Sequence, residues 1–438
     1  MIAPIALALA MLLAQDAQGE SRPTGLPAKI DWTFNLDAGW GSFGFGNSLY
    51  RNPKNPNVPS NLSDQWFEGF VKPALSGTFK LKSSEIYGKL SAVGERTYGS
   101  APIVAGEDVS SFGVDDLAIG WRSNAGAENP DEHPIGISVG RLPYQLGTGM
   151  LIWDGSAEGG SRGGYWTNAR KAFAFAVVGH VAPGPHKIEG FYLDRDELPE
   201  NETGSKLAGV NYEFTRDSNT LGATYVRTWA DPAVLPHRDG MNVFNVRAHA
   251  AALPRYSDVS LAFEYASERN GELIDAHAWT AQGGYLLSRV RWTPKLSYRY
   301  AFFQGDNPAT PKNEAFDPLF TGFADWGVWW QGEIAGEYVL SNSNLRSHMV
   351  RLNLDPTDSI DAGVIVYNFL LDHPPSFGGN VTDKHAAIET DGYVDWNINN
   401  NFVVSFVLAF NSPGKAIEQL TGRTKNFTYG MVYMAYSF

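Results

Sequence analysis

From residue 29 onward, apolar and polar side chains alternate, and the alternation recurs along the chain. The stretch KIDWTFNLDAGW sets Ile30, Trp32, Phe34, Leu36, Ala38 and Trp40 on one face and Asp31, Thr33, Asn35 and Asp37 on the other. RVRWTPKLSYRYAF sets Val290, Trp292, Leu296, Tyr298, Tyr300 and Phe302 against Arg291, Thr293, Lys295, Ser297 and Arg299. FNVRAHA, DVSLAFEYA, AAIETDGYVDWNI and NFVVSFVLAF repeat the pattern. The final YGMVYMAYSF does so too, with Val432, Met434, Tyr436 and Phe438 in register. A period of two is the signature of a strand with one apolar and one polar face. In a soluble sandwich the apolar face packs inward; in a transmembrane barrel it meets lipid and the polar face lines a lumen.

Three features favour the barrel. The runs reach the roughly 9–11 residues that cross a bilayer as a strand. Aromatics stand at strand ends, as at Trp32 and Trp40, which suits interfacial girdles. Connectors also alternate between short and long. Tight links fall at 82–84, 217–219, 253–258, near Ser288, at 355–358 and at 399–401. Long ones fall at 41–65, 142–168, 303–343, 371–385 and 412–425. Counting every alternating run gives nineteen, whereas single-chain bacterial barrels have even numbers. In DWGVWWQGEIAGEYVL, however, Trp326, Trp329, Trp330, Ile334 and Tyr338 recur at helical spacing. That run is therefore read as a short helix in the long extracellular loop 303–343. The prediction is all-β: an antiparallel up-and-down transmembrane barrel of 18 strands, whose last strand closes against the one beginning near Ile30.

Composition narrows the rest. Aromatics are 13% of the 438 residues, there are 46 glycines, and charged residues are only 18%, below the usual quarter. The chain has no cysteine, which excludes disulfides, thiolate metal sites and a cysteine nucleophile. A net charge of −13 disfavours nucleic acid as a partner. The apolar run MIAPIALALAMLLA is too short to span a bilayer as a helix and reads as the core of a signal peptide over 1–17, although no Lys or Arg precedes it. Residues 18–438 then form one barrel domain.

Signatures of catalysis are poor: the chain has no H-E-x-x-H or phosphate loop, and the glycine cluster GSAEGGSRGGYW does not open a helical pattern. The run DRDELPENET offers Asp194, Asp196, Glu197, Glu200 and Glu202 as oxygen ligands but lacks EF-hand spacing. No cofactor or metal is expected. The candidate site is the polar strand face: Arg122, Arg170, Arg247, Arg291, Arg299 and Arg351, with Glu213, Glu264, Glu389, Asp391 and Asp395. Glu333 joins them if the loop helix folds into the lumen. Fixed charges in a pore set solute selectivity, and guanidinium groups bind carboxylates and hydroxyls. The plain alternative is that these charges pair across the lumen and hold its shape. The Gly-rich loop 140–173 carries Met150, Leu151, Ile152 and Trp153, so part of it should pack against something.

Certain stretches resemble the alginate-export family of outer-membrane porins. They are GRLPYQLGTGMLIWD (140–154), YWTNARKAF (165–173), FDPLFTGFADW (316–326), residues 341–369 and residues 386–418. The aromatic C-terminal strand is similar to those read by the barrel-assembly machinery. The resemblance implies a monomeric eighteen-stranded barrel in the bacterial outer membrane, with lipid around it. It also implies passage of an acidic polysaccharide or another hydrophilic solute through an arginine-rich constriction. The surplus of acids, 47 against 34 basic residues, speaks against a polyanion. A carbohydrate, polysaccharide or oligosaccharide, or a small organic anion is the expected solute. A barrel enzyme and an adhesin acting through its loops are the alternatives.

Overall fold

Alternation along each strand becomes alternation across a wall. The protein, a computed structural model, is described here over residues 30–48, 63–101, 108–124, 133–253, 255–322, 331–378 and 380–438. The expected signal peptide lies outside these residues. The first strands are β1 Ile30–Gly46, β2 Ser63–Lys80, β3 Ser84–Gly99, β4 Val109–Ser123, β5 Ile135–Arg141 and β6 Phe175–Val181. Then come β7 His186–Asp194, β8 Lys206–Arg216, β9 Asn219–Trp229, β10 Asn242–Ala250, β11 Val259–Asn270 and β12 Ile274–Leu286. The last are β13 Lys295–Phe303, β14 Leu345–Thr357, β15 Ile360–Leu371, β16 His385–Asn399, β17 Phe402–Pro413 and β18 Phe427–Ser437. They form one 18-stranded sheet, and β1 pairs antiparallel with both β2 and β18, which closes it. Phe438 ends the seam: its N–H donates to the Leu36 carbonyl and its carbonyl accepts the Leu36 N–H, each at 3.0 Å. No helix of the described residues is long and apolar enough to cross a membrane, so strands alone make the wall.

The outer face is apolar. Trp32 is 62% exposed, Phe112 67% and Leu408 61%, side chains that water would penalise and lipid accepts. The links at 81–83, 217–218, 358–359 and 400–401 share one rim, the periplasmic one by their shortness. Expected boundaries move: β1 runs on to Gly46 and β2 starts at Ser63, inside the link read as 41–65, and β14 runs to Thr357, inside the link read as 355–358. The strand read as starting before Val290 begins only at Lys295, because Pro294 has no N–H for the ladder. Residues 287–294 instead form a turn, with Trp292 at φ 67° and Thr293 at φ 39°.

A bulge in β4 reshapes the inner face. Leu90 pairs with Leu117 and Ala92 with Val114, so Ser91 faces two residues rather than one. Val114 and Leu117 stay outside, and Asp115 and Asp116 both turn inward and are buried.

The interior has two layers. Towards the long loops, the inner side chains include Trp66, Leu193, Val226, Phe303 and Phe369, all buried. They pack with Met150, Leu151, Ile152, Phe173, Phe316 and Phe320, carried inward by the loops 142–174 and 304–344. Towards the short turns, the inner positions are polar and open, as at Thr33, Lys89, His249, Lys295 and Asn397. The helix expected in the 303–343 loop is present as a π-helix, Gly332–Val339. It lies on the inner wall rather than out beyond the rim, and Trp326, Trp329 and Trp330 fall outside the described residues. A second helix, Lys415–Thr421, was not expected from the sequence.

Candidate functional site: a loop-filled lumen

The loop 142–174 enters the lumen because the wall supplies partners for its backbone. At its base, Asp115 accepts the N–H groups of Lys171 and Ala172 at 3.2 and 3.1 Å and also binds Lys72. Glu68 accepts the N–H groups of Trp166 and Thr167, both at 3.0 Å. Further in, the Phe320 N–H donates to Leu151 at 3.0 Å and the Trp153 N–H to Phe320 at 2.9 Å. This joins the loops 142–174 and 304–344 by a short parallel bridge. The apolar MLIW run thus has the packing partner its sequence demanded.

The loop tip reaches the β7–β11 wall. Tyr144 donates to Glu189 at 2.8 Å, and Thr148 donates to Glu264. Burial and the Glu189 carboxylate push the Tyr144 phenol far above its ordinary value, so it remains a donor. Gly147 sits at φ +53°, and a Cβ there would lie 2.6 Å from Arg247 Nε. Only glycine lets the loop come this close.

The predicted residues fall into separate groups. Arg247 donates to Glu213 and Asn211, both at 2.6 Å, and to Thr224 and Asn245; Asn245 in turn reaches Glu264 at 2.8 Å. Arg122, near the periplasmic rim, pairs with Glu85 and lies 4.8 Å over Tyr87. Arg170 belongs to the inward loop rather than to a strand and pairs with Glu95 of β3 at 2.9 Å. Arg351 donates to the Tyr393 hydroxyl at 2.8 Å, and Asp395 accepts from Ser405 in the open lower layer. Arg299 is buried on the inner face of β13. Glu389 and Asp391 are buried against the π-helix, with Glu333. Arg291 lies outside the lumen wall: it is exposed in the turn 287–294, with its guanidinium carbon 5.0 Å from the Trp292 ring.

Near the outer mouth stands a cluster that strand periodicity does not reveal, because its members come from loops. Arg238 clamps Asp317 with two nitrogens, and His237 lies 3.3 Å from the same carboxylate. Burial pushes Asp317 up, but the His237 and Arg238 hydrogen bonds outweigh it and hold the carboxyl well below its usual range. It is an ion-pair anchor and a poor general base. Arg195 lies 4.7 Å from the centre of the Phe320 ring and makes no ion pair among the described residues. Burial and the neighbouring Arg238 lower its guanidinium below the ordinary arginine value. Four acids of DRDELPENET are occupied: Asp194 by Lys206, Asp196 by Arg141 and Arg162, Glu197 by Thr203 and Gly204, and Glu200 by Ser161. No group of three or more His, Asp or Glu side chains placed to hold a metal ion occurs among the described residues.

A closed antiparallel barrel with an apolar belt outside and a water-lined layer inside is an outer-membrane β-barrel, and the bacterial outer membrane is where this protein resides. A family model described as alginate export matches residues 241–430, which bears out the resemblance over the C-terminal segments 316–326, 341–369 and 386–418. Segments 140–154 and 165–173 lie ahead of the matched stretch. No curated protein matches the chain. The barrel is similar to OccAB2 of Acinetobacter baumannii, with a TM-score of 0.59 at 11% identity over 93% of this chain and 98% of that one. It is similar to the outer membrane protein opdK of Pseudomonas aeruginosa, at 0.57 and 14% over 93% and 98%. It is similar also to OpdK solved with vanillate, at 0.56 and 14% over 92% and 98%. At these identities the likeness is one of fold.

Proposed function

We propose that this protein is a channel passing a small hydrophilic solute, a carbohydrate or an organic anion, across the outer membrane. The observation that carries the reading is the polar lower layer. Thr33, Lys89, His249, Lys295 and Asn397 face inward and remain open to water inside a wall whose other face is apolar. Such a layer is a lumen, and its mixed charges select among solutes. Above it, the loop 142–174 narrows the passage, and Arg195 offers a solute carboxylate or hydroxyl a guanidinium that no ion pair among the described residues claims. The relative solved with vanillate, a small carboxylate, supports the organic-anion side of this reading. A polyanion is disfavoured, since Arg122, Arg170 and Arg247 are each matched by a wall carboxylate.

The fully buried upper layer favours a second reading, a closed barrel that acts through its loops. Planar-bilayer recording separates the two. The channel gives stepwise conductance, and Arg351→Gln moves its reversal potential towards cation preference. A folded protein that never conducts selects the closed barrel.

A further inference from the structure

The first backbone N–H groups of the π-helix are held on the wall by carboxylates, while Ile334, Ala335 and Tyr338 pack into the core. Glu389 accepts the Ile334 N–H through one oxygen at 2.7 Å. Its other oxygen accepts the Ala335 N–H and the Asn411 amide, both at 2.7 Å. Asp391 accepts the Glu333 N–H at 3.3 Å. A carboxylate under the first N–H groups of a helix is well placed. Gly332 makes the approach possible: it sits at φ +87°, and a Cβ there would lie 2.4 Å from Glu389 Oε1. From the loop 142–174, the Trp166 indole donates to Glu333 at 3.1 Å.

Among the described residues, no cation balances this cluster. The titratable groups facing the helix, again among the described residues, are Glu68 of β2, Glu389 and Asp391 of β16, and Tyr429 of β18. The helix itself brings Glu333, Glu337 and Tyr338. No Lys, Arg or His pairs with any of the five carboxyls among the described residues. Glu333 Oε2 and Asp391 Oδ1 are buried without a hydrogen-bond partner. Several carboxylates confined together away from water do not all ionise; some hold protons.

We propose that the π-helix is a proton-latched plug, which rests on the β16–β18 wall while its acid cluster is protonated and leaves it as the pH rises, widening the upper lumen. Burial, then Glu337, Asp391 and Glu389, push Glu333 well above the usual carboxylate range; burial and then Glu68 push Glu337 up to about 7. Once the helix has left, both return towards the ordinary 4.5. The docked state therefore binds more protons. Docking is strongest below pH 4.5 and weakens with each further ionisation as the pH climbs through about 7.

The test exploits a chain without cysteine. Ile334→Cys replaces a fully buried side chain of the helix, and its maleimide labelling is followed from pH 5.5 to 8.5 in the full-length folded protein. Rates are normalised to Ser257→Cys on an exposed turn, which removes the thiol's own pH dependence. The normalised rate should rise about tenfold or more over this range, and Glu333→Gln with Glu337→Gln should flatten it. A flat profile in the Ile334→Cys protein overturns the proposal, and so does a rise that survives both glutamines. If the glutamine variant does not fold, the Ile334→Cys profile decides alone. Labelling requires no conductance, so it judges the latch separately from the channel reading.

Discussion

The two halves of the lumen are built by opposite rules. On β13, Lys295 and Phe303 both point inward, yet Lys295 meets water and Phe303 is fully buried. On β10, His249 is open and Val243 is buried. The lower half follows the ordinary barrel rule, polar inside and apolar outside. The upper half buries its inner face as well, apolar side chains with polar anchors such as Glu68 and Glu389 between them, because that face packs on loops as a soluble core would. Two solvents, lipid and folded loop, cover one strand from its two sides. Stability should therefore concentrate at the top, and solute selection where the packed layer ends.

The largest expected effect tests the first half of that claim. Phe303→Ala removes a buried ring and should cost roughly 3–5 kcal/mol, read as a lower urea midpoint of the detergent-solubilised barrel. Lys295→Ala on the same strand should shift it by less than about 0.5 kcal/mol. Equal losses would show that the upper layer is not a core. Next in size is Asp115→Ala. It strips two backbone N–H groups and Lys72 of their acceptor, at a cost of about 1–3 kcal/mol, and frees the base of the loop 142–174. Conductance should rise and its noise with it; an unchanged trace would mean that this loop does not set the constriction.

The lower half was legible from the sequence, and so was the wall. Period two and the rim assignment follow from local chemistry that each strand carries by itself, whereas the count of eighteen also needed the even-number rule of closed bacterial barrels. Val364 and Val366 face out and Ile365, Tyr367 and Phe369 face in on β15, so no alternation marks which side is lumen. The inner partner of those residues is a loop distant in sequence, and periodicity contains no term for it. The MLIW run signalled that something packs there without saying where. Asp115 and Asp116 are adjacent, so a strict period of two puts them on opposite faces; only the bulge brings both inside. Arg195, Arg238 and Asp317 converge from three loops and leave no spacing to read. Arg170 followed the strand pattern only by accident of its alanine neighbours.

A smaller effect probes the boundary between the halves. Arg247→Gln leaves Glu213 without its cation at the level of the loop tip. One unit of charge in a wet lumen is worth about 1 kcal/mol at close range, so the cation/anion permeability ratio should rise up to roughly fivefold. Glu213→Gln should move the ratio the other way. If both substitutions shift it in the same direction, the pair acts through packing rather than through charge.

The smallest expected effect belongs to Arg291, whose place in the alternating run RVRWTPKLSYRYAF points to the lumen. Pro294 stops the ladder, and the turn 287–294 carries Arg291 into water at the periplasmic rim. Its guanidinium carbon lies 5.0 Å from the ring of the adjacent Trp292. A charge there is screened over about 8 Å at physiological salt, and solutes leaving the lower layer pass it in bulk solvent. Arg291→Ala should therefore change stability by less than about 0.5 kcal/mol and leave the reversal potential where it was. Recorded beside Arg351→Gln in the same bilayers, it calibrates where the lumen ends. A shift as large as that of Arg351→Gln would place the periplasmic rim within the selective region and extend the lower half by one turn.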